Sequence, residues 1–293
     1  MSKKKTVAII QARMSSSRLP GKVLRLVGSQ PMLARVLARA SRASLVDEVM
    51  VATTTDPSDE PIAEFCEKAG ITCFRGDLYD VLDRYYQAAK LSDAGVVVRL
   101  TADCPFIAPE EIDRTITHFH LTCADFTANR LPPPFRRTTA IGMDTEVVSF
   151  AALERAWQEA TQPFEREHVM PYLYDMPGRF KISVADWEKD LSHLRFTVDT
   201  PEDLELANQV YAVFDDRDDF TLQDLLAANA RHPEWQAQLA GVKHKDLFEV
   251  DHRAKELNHG QTAERDEPPH DDEQTLIRTT LSALRKIKSY SHF

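Results

Sequence analysis

Glycine and cysteine are scarce in this 293-residue sequence, and neither occurs in the spacing of a common binding motif. None of the nine glycines lies two positions from another, so the Gly-x-Gly of the dinucleotide fingerprint is absent. The Gly21-Lys22 pair does not form a Walker loop, because Ser16 and Val23 stand at two of its defining positions. The four cysteines form no Cys-x-x-Cys pair, which fits a reducing cytoplasm.

Long apolar runs and an excess of positive charge are also missing. No apolar run approaches the ~18 residues of a membrane span, and Lys3-Lys4-Lys5 precedes only a short apolar stretch. We therefore expect a cytoplasmic protein without a transmembrane segment or signal peptide. The formal net charge of −10 argues against nucleic acid as a main partner. With 43% hydrophobic residues, the chain can bury a sizeable core in one large or two small domains.

Three cations lie in one loop near the N-terminus. The β-branched run 7–10 predicts a buried strand, and the residues after it include Arg13, three serines, Arg18, a Pro-Gly turn and Lys22. A helical pattern begins after Pro31. A basic loop between a strand and a helix brings backbone N–H groups and cations to one anion, so the sequence predicts a polyphosphate site. A solvated surface loop is the alternative.

The first half of the chain alternates strand and helix patterns, which predicts an α/β fold with a mostly parallel, doubly wound sheet. The predicted strands are residues 49–53, 72–74 and 96–100, and the predicted helices are residues 33–40, 62–69 and 81–89. Ligands of such sheets gather beyond the carboxyl ends of the strands. We therefore expect the loops after residues 10, 53, 74 and 100 to converge on one crevice.

The second half is less regular. Its predicted strands are residues 125–129, 144–148, 180–184 and 194–198, and its predicted helices are residues 112–119, 151–160, 166–174, a segment after Thr200, and 220–230. We assign one domain to residues 1–252, a polar linker to 253–274 and a basic amphipathic tail helix to 275–293. We expect the tail helix to dock on its own domain or on a second copy in a homodimer; another partner or a membrane surface is the alternative.

Two aspartates directly follow apolar strand patterns. Asp103 comes after residues 96–100 and Asp199 after residues 194–198. A carboxylate at the crevice end of a strand suits Mg²⁺, which takes one or two carboxylates together with substrate phosphates. A helix cap or a plain turn is the alternative for each aspartate. Cys104 is interpreted as structural packing, because thiolates suit soft metals and no second Cys or His is near.

The run Ile10-Gln11-Ala12-Arg13-Met14, followed by residues 17–22 (Ser-Arg-Leu-Pro-Gly-Lys), resembles the signature of the sugar cytidylyltransferases. These enzymes, among them the CMP-Kdo and CMP-neuraminate synthetases, make CMP-activated acidic sugars. Within the family, the motif of this chain is most similar to that of the spore-coat polysaccharide branch. Further similar segments are residues 75–77, 102–105, 142–146, 166–169 and 198–203. Ser16 and Ala102 stand where family members carry glycine.

The resemblance implies a CTP-dependent nucleotidyltransferase that joins CMP to a sugar, expected to be acidic, and releases pyrophosphate in surface polysaccharide or glycan synthesis. It also implies a nucleotide-diphospho-sugar transferase (GT-A-like) fold with Asp103 and Asp199 as Mg²⁺ ligands. The implied nucleotide-binding residues are Gln11, Ala12, Arg13, Ser17, Arg18, Gly21, Lys22, Arg75 and Thr101, of which Arg13, Arg18 and Lys22 are the catalytic cations. The implied sugar-binding residues are Asp144, Glu146, Arg166 and His168.

Several alternatives stay open. A glycosyltransferase that consumes a nucleotide sugar would carry an Asp-x-Asp pair after a central strand, but that position holds Asp103-Cys104-Pro105, and the cluster at residues 215–218 follows a helix. A non-catalytic nucleotide-binding subunit is the second alternative. His168 could be a structural histidine, and the Arg136-Arg137 pair could be a solvated turn instead of a carboxylate site.

Overall fold

The structure is a computed structural model that describes residues 4–133 and 135–242. The predicted linker and tail helix, with the domain boundary at residue 252, lie outside the described residues. Within those residues no helix is both long enough and apolar enough to cross a membrane.

The described chain forms a seven-stranded mixed sheet and a small two-stranded one. The strands are β1 (Thr6–Gln11), β2 (Leu26–Val27), β3 (Gln30–Pro31), β4 (Glu48–Thr54), β5 (Cys73–Gly76), β6 (Val96–Thr101), β7 (Phe126–Ala128), β8 (Glu146–Ser149) and β9 (Ile182–Val184). The large sheet has the order β5-β4-β1-β6-β8-β7-β9, in which β8 is antiparallel to both neighbours and the other pairings are parallel. The predicted α/β fold with a mostly parallel sheet is confirmed.

Helices cover both faces of the large sheet. They are α1 (Met32–Ala40), α2 (Glu60–Ala69), α3 (Val81–Leu91), α4 (Pro109–Thr122), α5 (Phe150–Glu159), α6 (Pro163–His168), α7 (Pro171–Tyr174), α8 (Pro201–Val213), α9 (Leu222–Arg231) and α10 (Glu234–Ala237). In β1, Ala8 and Ile10 belong to the buried cluster that includes residues of α1, α2, α4, α8 and α9, whereas Val7 and Ile9 belong to the cluster on the other face, which includes residues of α3, α5 and α7. This burial on both faces explains why the central strands are continuous apolar runs.

The predicted helix over residues 166–174 is two short helices instead of one. The chain breaks at Val169, whose φ is +72°, and resumes as α7 at Pro171. Proline has no N–H to donate into a preceding helical turn, so a helix that runs through this position would lose a hydrogen bond. The apolar spacing of this segment predicted correctly that it is buried, but it did not reveal the break in the helix.

The predicted strand over residues 194–198 is wrong. The segment is extended, but its backbone pairs with loops: Ile141 exchanges hydrogen bonds with Leu194 and Phe196 at 2.9 and 2.7 Å, and Val198 donates to the carbonyl of Asp103 at 2.8 Å. No described strand lies beside it, because its partners are the turns that follow β6 and precede β8. The helix expected after Thr200 is confirmed as α8, with a capping box between Thr200 and Asp203.

Gly142 lies against the segment at residues 194–198, and a substitution there tests this contact. Its φ is +96°, and an added Cβ would lie 2.6 Å from the carbonyl carbon of Phe196 and 2.7 Å from the nitrogen of Thr197. We expect Gly142→Ala to lower the free energy of unfolding by about 2–4 kcal/mol, from backbone strain plus overpacking. Gly178→Ala is the control, because Gly178 has a φ of +84° and nothing within 4 Å of its Cβ position. Equal losses in urea unfolding would contradict a clash at Phe196.

Candidate active site

A cleft of about 210 Å³ lies beyond the carboxyl ends of β1 and β6. It is lined by Gln11, Arg13, Ser16, Ser17, Arg18, Lys22, Val23, Thr101, Ala102, Asp103 and Asp199. The loops after β1 and β6 therefore line it, whereas residues of the loops after β4 and β5 are not among its lining residues. The chain runs from β1 to β4 and β5 on one side and returns to β6 on the other, so the strand order reverses at β1 and β6.

The loop after β1 folds back on itself at Met14. The carbonyl of Met14 accepts hydrogen bonds from Ser16 and Gly21, both at 2.9 Å, and its N–H donates to the buried carboxylate of Asp59 at 2.6 Å. Gly21 has a φ of +68°, a left-handed conformation that glycine adopts at low cost. These contacts begin a short 3₁₀ turn at Lys22 and direct its side chain into the cleft.

The ammonium of Lys22 lies between the two predicted magnesium ligands. Its Nζ is 2.8 Å from Oδ2 of Asp103, 2.8 Å from Oδ1 of Asp199 and 3.0 Å from the carbonyl oxygen of Val198. Burial by itself would lower the pKa of Lys22, but the two carboxylates outweigh burial and raise the pKa above its ordinary value. Burial in turn favours a high pKa for Asp103, and the Lys22 ammonium more than reverses this, holding the pKa below the usual range.

Two cations besides Lys22 contact Asp199. Nη2 of Arg18 lies 3.0 Å from Oδ1, and Nη2 of Arg195 lies 3.1 Å from Oδ2. Arg195 is buried and also binds Asp203 through Nε and Nη2, both at 2.7 Å. Arg195 is a site residue that the sequence analysis missed; the available signal was an arginine inside an apolar run, four positions before Asp199.

Some of the other residues predicted to bind the nucleotide line the cleft, and some do not. Gln11, Arg13, Ser17 and Thr101 line the cleft with the charged cluster. Ala12 is buried in the sheet, where its N–H donates to Ala52 at 3.1 Å, and it does not reach the cleft lining.

Arg75 also lies away from the cleft lining. It is on β5, and its guanidinium binds the carbonyl of Thr54 at 3.0 Å and the carboxylate of Glu60 at 2.6 Å. Its nucleotide role stays a prediction.

The predicted sugar-binding residues do not line this cleft, and each has a partner elsewhere in the fold. Asp144 pairs with Arg137, and Glu146 pairs with Arg99. Arg166 binds both oxygens of Asp80 at the start of α3, and the ring of His168 lies 5.1 Å from that of Phe164. Their role in sugar binding stays a prediction. Arg136, the other arginine of the pair at 136–137, is mostly exposed and pairs with Asp190.

Cys104 is buried at the back of the cleft, 3.4 Å from Oγ1 of Thr101. Burial and the neighbouring Asp103 raise the pKa of its thiol, which keeps the sulfur protonated. The residues that the structure describes contain no group of three or more His, Cys, Asp or Glu side chains able to hold a metal. A metal between Asp103 and Asp199 would therefore need further oxygen ligands from a substrate or from water.

This chain is similar in sequence and in structure to several known proteins. The sequence model of the family described as Cytidylyltransferase matches residues 7–230. The chain is 36% identical over 213 residues to an uncharacterized protein of Methanocaldococcus jannaschii, covering 72% of this chain and 85% of that protein. It is 30% identical over 233 residues to the spore coat polysaccharide biosynthesis protein SpsF of Bacillus subtilis, covering 77% and 94%. A solved cytidylyltransferase from Leptospira borgpetersenii is similar with a TM-score of 0.75 and 33% identity, over 83% of this chain and 100% of that one.

The position of Lys22 predicts a pH-dependent loss of stability when its ammonium is removed. Lys22→Met leaves two carboxylates facing each other, and we expect a loss of about 2–3 kcal/mol at pH 7. This loss is smaller than the loss expected for a fully buried pair, because the Asp103 side chain is 28% exposed. The pKa of Asp103 is lower in the folded protein than in the unfolded chain. The contact with Lys22 therefore stabilises the folded protein fully above the unfolded pKa of about 3.9, and this stabilisation is lost as the pH falls through the folded pKa.

Urea unfolding at pH 7 and at about pH 3, between the unfolded and folded pKa values of Asp103, measures this effect, and the deficit of Lys22→Met should shrink at the lower pH as the stabilisation of the Asp103 carboxylate is lost. Arg25→Met is the matched control, because Arg25 is an exposed cation at the end of the same turn. A deficit that is independent of pH would argue that lost packing, and not lost charge, causes it.

Proposed function

This chain belongs to the cytidylyltransferase family and is a nucleotidyltransferase, and from that premise we propose that it transfers CMP from CTP to a sugar hydroxyl. We propose further that the sugar is acidic, that the product serves surface polysaccharide or glycan synthesis, and that the protein acts in the cytoplasm. The observation that carries the proposal is the convergence of Arg13, Arg18 and Lys22 with two carboxylates in one cleft.

The proposed reaction is a displacement at the α-phosphate. The sugar oxygen forms a bond to the α-phosphorus, the bond from that phosphorus to the bridging oxygen breaks, pyrophosphate leaves, and the hydroxyl proton passes to solvent. Phosphoryl and nucleotidyl transfers of this kind depend on positioning and charge neutralisation more than on covalent participation of the protein. A cleft whose cations outnumber its carboxylates meets that requirement.

The loop cations would bind the triphosphate. Lys22 carries its charge on a flexible stem, whereas Arg18 can bind two phosphate oxygens at once with its planar guanidinium. Gly21 does not itself line the cleft, but its left-handed conformation forms the turn that precedes Lys22. Ser16 and Ala102 line the same cleft and place a hydroxyl and a methyl group where a glycine would leave space.

We propose Mg²⁺ as the cofactor, held by Asp103 and Asp199. Both carboxylates already approach one cation, the Lys22 ammonium, and carboxylate oxygens are the ligands that this hard ion prefers. When bound, Mg²⁺ supplies charge neutralisation at the triphosphate and makes the attacking hydroxyl more acidic. Arg195 holds Asp199 from behind and orients its second oxygen.

The cluster at residues 215–218 gives no support to the glycosyltransferase alternative. Asp216 and Asp218 both bind the guanidinium of Arg35, which is buried and stacks on the ring of Tyr211 at 4.2 Å. These carboxylates therefore hold α1 against the segment after α8. They do not line the cleft.

Removal of one carboxylate tests the assignment. The wild-type protein should release pyrophosphate from CTP with Mg²⁺ and a member of a panel of acidic sugars, with lower rates for ATP, GTP and UTP. Asp103→Asn should lower kcat by a factor on the order of 10²–10³, as when one preorganised charge is removed. Asp219→Asn is the control, because Asp219 is an exposed carboxylate that pairs with Arg217 and is not among the residues that line the cleft.

Unchanged turnover of Asp103→Asn would refute the role of this carboxylate. Release of a nucleoside diphosphate from a nucleotide sugar, without pyrophosphate release from CTP, would favour the glycosyltransferase alternative.

Removal of the metal gives an independent prediction. Dialysis against EDTA should abolish pyrophosphate release, and added Mg²⁺ should restore it, whereas Ca²⁺ should restore it poorly because its coordination is larger and less regular. The far-ultraviolet circular dichroism should stay unchanged, since the ammonium of Lys22 holds the two carboxylates in the free protein. Full turnover in EDTA would contradict the cofactor assignment.

A further inference from the structure

The ammonium of Lys22 fills a complete cation site. Its three N–H groups have three acceptors, one oxygen each from Asp103, Asp199 and Val198, at 2.8, 2.8 and 3.0 Å. The Lys22 side chain is 10% exposed, so water cannot replace these contacts to any large extent. The same two carboxylates are those that the proposed function gives to Mg²⁺.

Two cations cannot use these carboxylates at once. Mg²⁺ binds oxygen at about 2.0–2.1 Å, well inside the distance at which the ammonium holds the same atoms. The oxygens of Asp199 are further engaged by Arg18 and Arg195. The charges of both carboxylates are therefore already neutralised by the protein, and a hydrated divalent ion gains little by entering.

The three cations differ in how readily they can leave. Arg195 is buried and fixed by two hydrogen bonds to Asp203, so it stays with Asp199. Among the residues that the structure describes, Lys22 contacts no carboxylate besides those of Asp103 and Asp199, and its four-carbon stem can turn toward a new anion. A triphosphate offers that anion and supplies the oxygen ligands that a metal at two carboxylates still lacks.

We propose that Lys22 acts as an internal substitute for the divalent metal, so that the free protein excludes metal and nucleotide must draw Lys22 away before metal binds. The order of binding is thus set by one side chain. The nucleotide half of this inference rests on the proposed function, whereas the exclusion of metal by Lys22 is a property of the free protein.

Mn²⁺ binding, measured by electron paramagnetic resonance on the full chain without nucleotide or sugar, tests the exclusion. Wild type and the Arg25→Met control should bind Mn²⁺ weakly, and Lys22→Met should bind it at least tenfold more tightly. The double variant Lys22→Met/Asp199→Asn should return to weak binding, because one of the two carboxylates is gone. Tight binding by wild type, or no gain in Lys22→Met, would overturn the proposal.

Two further measurements keep the test decisive if Lys22→Met folds poorly. Mn²⁺ should raise the Tm of Lys22→Gln more than that of wild type, because the ion replaces the missing ammonium; an equal rise would count against the proposal. Calorimetry should detect CTP binding to wild type in EDTA, and a strict need for metal before CTP binds would overturn the order. Because the Mn²⁺ comparison involves no reaction, it can succeed even if CMP transfer fails.

Discussion

The contact between the Lys22 ammonium and two carboxylates is the interaction on which the site depends. It joins the loop after β1 to Asp103, which is 81 positions away, and to Asp199, which is 177 positions away. Two carboxylates this close repel each other unless a cation lies between them. The position of the loop is therefore determined by charge as well as by packing, and the protein maintains the geometry of the cleft from its own side chains.

The sheet places the partners of this contact. The chain leaves β1 toward β4 and β5 and returns to β6 on the opposite side, so a crevice opens where β1 and β6 end. Asp103 lies two residues after the end of β6. Asp199 arrives from a segment that is not a strand, and it is held by the hydrogen bond from Val198 to the carbonyl of Asp103 and by the Arg195–Asp203 pair. Regular structure positions one acid and loop contacts position the other.

Charged side chains outside the cleft serve mainly to join elements. Arg166 ties α6 to the N-terminus of α3 through Asp80, and Arg35 ties α1 to the segment after α8. Buried charges are costly unless paired, and these guanidiniums have carboxylate partners. The number of arginines in the sequence therefore says little about the number that meet a substrate.

The sequence by itself determined the α/β class, the family motif in the loop at residues 10–22 and the placement of Asp103 after a strand. These features could be predicted because hydrophobic periodicity and short motifs are local properties. The matches to the cytidylyltransferase family confirm the resemblance drawn from that loop. Only the tertiary structure decided that Lys22 lies between the two acids, that Arg195 supports Asp199, and that Arg75 points to Glu60 instead of the cleft. These outcomes depend on contacts between residues far apart in the chain, and local patterns carry no information about which distant charge a side chain will meet.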